Sequence, residues 1–379
     1  MSSKTKLLQK LGVEHPIFLS PMAGVSPISL SAAVTNSGGL GSIPLASIDF
    51  RQDDGLHKLN ALIEDYAAGI DKPRNVVNLN FFCHEVEHAP DTAQVDNWKQ
   101  LYQKAIHASD DVLAKAQFTN GNVSFRELER DHPAKYSLLM DYLGTLRPKA
   151  VTFHFGIPNN ATMKWLQQKT GCLVLVTATS VAEAVFLVEK GVDGIVLQGY
   201  EAGGHRGNFL ADETSDENLS THALFSQVKK YVDTLPVDRA PYLVPAGGIG
   251  DAATIRYYLA QGADAVQLGT AFLATPESLT AKFFSAAVDG TRADTAMVEL
   301  VSGKRARAVR TAFIDALVGL NEFRRDELPG YGYAYNAYKS LKPLVEQDIG
   351  FYLAGQNYHQ ISKGKLTEHV MHELINGLK

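Results

Sequence analysis

Ten consecutive residues, Gln198-Gly199-Tyr200-Glu201-Ala202-Gly203-Gly204-His205-Arg206-Gly207, hold the most suggestive chemistry in the chain. Glycines flank His205 on both sides, offering little side-chain packing to justify a structural histidine there. The backbone is therefore read as presenting an imidazole for acid–base or hydrogen-bonding work. Two further runs, Ala246-Gly247-Gly248-Ile249-Gly250 and Gln267-Leu268-Gly269-Thr270, combine exposed backbone N–H groups with a hydroxyl, as a phosphate cradle would. A helix starting near Asp251 is expected to aim its positive dipole end at the same anion. Gln198 and Asn80 each offer a paired donor and acceptor, matching the alternating polar edge of an isoalloxazine or a pyrimidine.

Gly248-x-Gly250-x-x-Ala253 has the outline of a dinucleotide fingerprint, which requires an acidic residue at the end of the following strand. Here Asp264 precedes that strand and Gly269-Thr270 end it, so a monophosphate is the expected group. The competing reading is that these glycines only make tight turns. His154, in Phe153-His154-Phe155-Gly156, is either a substrate contact or a hydrogen-bonded histidine inside the core. Tyr331, Tyr335 and Lys339 stand at i, i+4 and i+8, so a helix would align them on one face. That face could close over an anionic substrate or simply pack, with the lysine snorkelling. No metal site is expected, since His84 and His88 lack convincing partners, and neither a GxSxG elbow nor a nucleophilic cysteine context occurs.

These residues need a scaffold that collects them. Short apolar runs recur at 16–19, 40–43, 76–81, 150–155, 173–176, 194–197, 241–245 and 265–268. Several are almost continuously apolar, as strands buried on both faces should be. Helical patterns alternate with them, and those at 181–189 and 252–261 each close on a glycine (Gly191 and Gly262). Eight strand–helix units predict a TIM (β/α)8 barrel, whose active site lies at the C-terminal strand ends with phosphate held after strands seven and eight. Pro21-Met22-Ala23, Asn80, His154, Gln198, Gly247-Gly248 and Gln267–Thr270 all fall at such ends. A doubly wound open sheet is the alternative. The segment 82–148 is too long for a βα connection and is read as helices and an active-site lid. Beyond residue 275 the rhythm changes: helix at 279–288, strand at 297–302, an irregular basic run at 304–309, then mostly helix from Tyr331. The division expected is a barrel over 1–275 and a smaller α/β lid domain with C-terminal helices over 276–379.

The chain has 379 residues, longer than a bare barrel of about 250. Its net charge of −5 argues against a nucleic-acid partner. Only two cysteines, Cys83 and Cys172, and no stretch of roughly 20 apolar residues point to a cytoplasmic protein without a membrane span, acting as a monomer or homodimer.

Together these segments resemble the class I nitronate monooxygenases. The matching text is Pro21-Met22-Ala23-Gly24-Val25-Ser26, Phe153-His154-Phe155-Gly156-x-Pro158, the Gln198–Gly207 run, Ala246-Gly247-Gly248-Ile249, Gln267–Thr270 and Ala354-Gly355-Gln356. The resemblance implies an FMN enzyme that uses dioxygen to oxidise alkyl nitronates such as propionate 3-nitronate, yielding carbonyl compounds and nitrogen oxyanions. It implies one-electron transfer from bound nitronate to FMN, then reaction with oxygen. Met22, Ala23, Asn80, Gln198, Gly203, Gly248 and Gln267, Leu268, Gly269 and Thr270 would surround FMN, with Pro21 and Gly247 adjoining and His205 beside the substrate. His205 would stabilise negative charge as a donor, or act as base toward neutral nitroalkanes. Two segments depart from the pattern: 208–241, with the acidic run ADETSDEN, and the expanded 82–148. Alternatives on the same barrel are an NADH:quinone or enoyl reductase, or a flavin-binding sensor that does not turn over.

Overall fold

The computed structural model describes residues 3–210, 215–288 and 294–379. Its main sheet contains β1 (Ile17–Leu19), β2 (Ser42–Pro44), β3 (Asn78–Phe82), β4 (Ala150–His154), β5 (Leu173–Ala178), β6 (Gly194–Gln198), β8 (Tyr242–Ala246) and β9 (Val266–Leu268). The eight strands run in the order β1-β9-β8-β6-β5-β4-β3-β2, and every pairing is parallel. A parallel bridge between Phe18 and Leu40 brings the β2 end back to β1. The architecture is the expected TIM barrel, each strand falling within two or three residues of its apolar run.

Strand parity decides what each side chain meets. Val151, Phe153, Val174, Val176, Ile195 and Leu197 point outward into the core beneath the helices. The alternate residues point inward. At the bottom these are Phe18, Leu175, Val196 and Val244, closed off by Leu7 and Leu11 of the N-terminal helix Ser3–Leu11. At the top the inward residues turn polar: Asn80, Thr152, His154, Thr177, Gln198 and Gln267. One rule thus gives a dry plug at one end and a polar chamber at the other.

A three-stranded antiparallel sheet sits beyond the barrel, ordered β10-β11-β7: β10 is Thr295–Val298, β11 is Ala306–Val309 and β7 is the two-residue strand Gly204–His205. The run at 304–309 is therefore not irregular. Its basic side chains conceal a strand, because Arg307 is buried and donates to the Tyr200 carbonyl from Nε and Nη2 at 3.0 and 2.8 Å. Next to this sheet, Trp98, Leu101 and Tyr102 of the helix Thr92–Ile106 share a core with Phe313, Ile314, Leu317, Tyr338 and Leu341. The last helix, Thr367–Asn376, returns Met371 and Leu374 to the barrel core. The expanded 82–148 segment splits accordingly, its helix Pro133–Leu146 packing on the barrel.

Among the described residues no helix is long and apolar enough to cross a membrane, and no group of His, Cys, Asp or Glu is arranged to hold a metal ion. Cys83 and Cys172 are buried and unpaired.

Candidate active site

At the C-terminal strand ends lies a cavity of about 330 Å³, within the range of small-ligand and cofactor sites. Fifteen of the residues singled out in the sequence line it: Pro21, Met22, Ala23, Asn80, His154, Gln198, Gly203, His205, Gly247, Gly248, Gln267, Gly269, Thr270, Tyr335 and Lys339. Two do not. Leu268 follows Gln267, so parity turns its side chain outward into the core. Tyr331 is buried behind the wall, its ring against those of His84, Phe155 and His205. It also lies outside the helix, which runs Tyr333–Leu341 and is preceded by Gly332 at φ +93°. The i, i+4, i+8 face is thus reduced to Tyr335 and Lys339, with Lys339 Nζ 4.6 Å from the Tyr335 ring centre.

The cradle depends on glycine. Gly247 and Gly248 have φ of +112° and +68°, a region that L side chains rarely enter. A Cβ on Gly203 would lie 2.4 Å from the Ala354 carbonyl carbon, so only glycine lets the 354–355 segment pack there. That segment is tied down by Gly355 N donating to Thr270 Oγ1 at 3.0 Å and Gln356 N donating to the Glu201 carbonyl at 3.0 Å. The helix Ala252–Ala260 begins as expected, but Asp251 answers part of its N-terminal potential by accepting from Thr254 N at 2.9 Å.

His205 occupies β7, paired with Ala306 of β11. Its carbonyl is held from two sides: Gln198 Nε2 donates to it at 2.9 Å and His154 Nε2 at 3.2 Å. Gln198 Oε1 also accepts from Gly207 N at 2.8 Å. His154 Nδ1 in turn accepts from the Thr177 hydroxyl at 3.1 Å, so both its ring nitrogens are engaged. The ring is thus hydrogen-bonded on both sides, and it also lines the cavity. Arg206 clamps the same loop. It donates to the Gln198 and Thr179 carbonyls and forms a bidentate pair with Asp216 at 2.7 and 2.9 Å, both side chains 1% exposed. Asp216 belongs to the acidic run, of which residues 211–214 lie outside the described residues.

Burial keeps the imidazoles neutral. Desolvation, reinforced by the nearby His154 and by Lys304 and Lys339, pushes His205 down to about 3. Desolvation pushes His154 down to about 4. Lys339 is also shifted down by burial, and among the described residues no carboxylate pairs with it; its Nζ donates only a long 3.4 Å bond to Asn122 Oδ1. The chamber therefore presents neutral imidazole, a cation and amides, a set suited to holding an anion.

Some lining residues gave no sequence signal. Asn122, Thr177 and Asn357 are single polar residues that only the tertiary fold brings here. Ser302, hydrogen-bonded to His205, follows no motif either.

The family model described as nitronate monooxygenase matches residues 4–378. A Saccharomyces cerevisiae relative is 40% identical over 372 residues, covering 94% of this chain and 89% of its own. The nitronate monooxygenase of Pseudomonas aeruginosa is 38% identical over 353 residues, 91% of each chain. Among solved structures, nitroalkane oxidase from Streptomyces ansochromogenes superposes with a TM-score of 0.79 at 25% identity, covering 98% of this chain and 97% of that one. A barrel whose polar chamber sits behind glycine-shaped loops, matched by the family along nearly all its length, leaves one assignment: this chain is a flavin-type oxidoreductase belonging to the nitronate monooxygenase family.

Proposed function

We propose that the chain holds FMN in this cavity and oxidises small nitronates that carry a second anionic group, propionate 3-nitronate being the model, with dioxygen as the oxidant. One observation carries the reading: Lys339, which has no carboxylate partner among the described residues, faces the same chamber as His205 and the glycine cradle.

The residues present fit FMN. Gly247, Gly248, Gly269 and Thr270 offer backbone N–H groups and a hydroxyl for one phosphate, and no acidic residue stands where a dinucleotide ribose would be read. Gln267 and Asn80 supply amides for the ring's polar edge; Asn80 Nδ2 is engaged with Thr152 at 3.0 Å, leaving its oxygen as the acceptor. Bound there, FMN would supply the redox chemistry between the nitronate and dioxygen. The chain's own tasks are simpler. Lys339 and Tyr335 hold the distal carboxylate, fixing which end of the substrate faces the ring. Phe82, Met22, Val25 and Leu273 wall the chamber and keep water out. Gln198 and His154 hold His205 against the substrate. Its imidazole is neutral, so any stabilisation of the substrate comes from its one N–H and not from a full positive charge, while its other nitrogen keeps a lone pair.

The test is oxygen uptake by the purified yellow protein with propionate 3-nitronate, beside NADH plus a quinone and an enoyl thioester, with chromatography of the released cofactor. Turnover of the nitronate and release of FMN are expected. Released FAD, or turnover only with NADH and quinone, would overturn the reading.

A further inference from the structure

Two histidines line the cavity, and their hydrogen bonds differ in a way that bears on which nitrogen can do chemistry. His154 has none to offer, since its Nε2 proton goes to the His205 carbonyl and its Nδ1 lone pair takes the Thr177 proton. Among the described residues, His205 makes one ring hydrogen bond, between Nε2 and Ser302 Oγ at 2.9 Å, and none at Nδ1. The direction of that bond follows from Ser302. A hydroxyl has a single proton. Ser302 Oγ lies 3.0 Å from the Lys304 carbonyl, which can only accept, so the serine proton goes there. Lys304 N donates weakly back at 3.4 Å. The arrangement that serves both neighbours has the serine proton on that carbonyl and the imidazole proton on Nε2, directed at Ser302 Oγ.

We propose that Ser302 is a positioning residue that sets the tautomer of His205, leaving the Nδ1 lone pair available in the cavity to take a proton from the α-carbon of a neutral nitroalkane. This rests on the proposed nitronate chemistry and adds an entry to it. In the step, the α C–H bond breaks, a bond from Nδ1 to that proton forms, and the released electron pair becomes the C=N bond of the nitronate. No oxidant or further reactant is needed. The imidazolium so formed keeps its Nε2 proton on Ser302, whose own proton stays on the Lys304 carbonyl.

The serine is built to hold still. It is fully buried in the turn before β11, and Gly303 at φ +83° closes that turn with its N–H on the Glu299 carbonyl at 2.8 Å. A Cβ at Gly303 would come within 2.8 Å of Tyr331 N, so the turn packs directly on that backbone. Arg325 Nε donates to the Gly303 carbonyl at 2.7 Å, and Arg325 is itself paired with Glu87 at 3.0 Å. Residues from two distant segments, Glu87 and 325–331, thus fix the turn that carries the hydroxyl.

The experiment uses the FMN-loaded protein labelled with ¹⁵N-histidine, the His205 ring signals being those missing in His205→Gln. The unsubstituted protein should show a protonated Nε2 and an unprotonated Nδ1. In Ser302→Ala, Nδ1-protonated His205 should appear, and kcat on a neutral nitroalkane should fall roughly tenfold, the order expected for one lost hydrogen bond. Turnover of preformed nitronate should fall less, and Ser302→Thr should restore both signals and rate. A protonated Nδ1 in the unsubstituted protein, or an unchanged tautomer and rate in a folded, flavin-replete Ser302→Ala, overturns the proposal while leaving nitronate oxidation standing. The expected tautomer shift in a protein that oxidises no nitronate sustains the assignment of Ser302 and sinks the proposed function instead.

Discussion

Replacing Asp216 by alanine probes how the loop bearing His205 is held. Asp216 is 1% exposed and accepts two charge-assisted bonds from Arg206, with Arg305 Nη1 a further 3.3 Å away. The variant leaves Arg206 buried with only carbonyls as partners and a second guanidinium beside it. Breaking a buried pair by removing one member costs about 3–5 kcal/mol. Unfolding entropy near 2.1 cal/mol/K per residue makes about 0.8 kcal/mol/K for 379 residues, so the melting temperature should fall by roughly 4–6 °C. Asp216→Asn keeps an acceptor but not the charge and should fall in between. Burial raises the Asp216 pKa, but the Arg206 hydrogen bond and charge outweigh it and hold the carboxyl below its usual 3.8. A depressed carboxyl stabilises above its unfolded pKa and loses that contribution as pH falls through the folded value, so the deficit should persist from about pH 8 to 5 and shrink only in strong acid. Scanning calorimetry at several pH values measures this. A drop below about 1 °C in Asp216→Ala would refute the claim that this pair anchors the loop.

Gly248→Val should weaken FMN binding at least tenfold by fluorescence titration of the apoprotein, because φ +68° costs a β-branched residue about 1–2 kcal/mol and its methyl groups crowd the phosphate; an unchanged Kd would mean the residue only makes a turn. The protein should lose stability in mild acid. His84, His154 and His205 are held near 3, 4 and 3 by burial, whereas the unfolded chain protonates near 6.5. Their contribution is complete above that value and is lost as pH falls toward the folded values. Up to three protons are taken up, a slope of at most about 4 kcal/mol per pH unit, and urea melts between about pH 7.5 and 5 that show no such slope would place these rings in water.

The barrel was readable because strands buried on both faces leave continuous apolar runs, as in Leu173–Ala178, whose six residues are all buried. Glycine cradles were readable because glycine enters φ +112° or +68° without the strain an L side chain meets there. Parity along β9 could also have removed Leu268 from the site. Other features leave no local trace. β7 is a two-residue strand that exists only because β11 runs beside it, and β11 is disguised by an arginine that finds a carbonyl to cap. Tyr331 matched a helical spacing that Gly332 interrupts. Ser302 acts through a contact across 97 positions of chain, which no window on the sequence can reveal.

The pairing of Gly204–His205 with Ala306–Arg307 has a consequence for engineering and for descent alike. The barrel fold accommodates many chemistries by varying the loops at its mouth. Here the His205 imidazole that lines the cavity is stitched edge to edge into the overlying sheet, and Ser302, Tyr335 and Lys339 come from the same half of the chain. A barrel excised at residue 275 would lose the strand beside His205, the 354–356 segment tied to Thr270 and Glu201, and the helix Thr367–Asn376 that completes its core. The two parts can vary only in concert, and a graft onto a related barrel must carry the 199–207 loop and the 295–309 hairpin as one indivisible cassette.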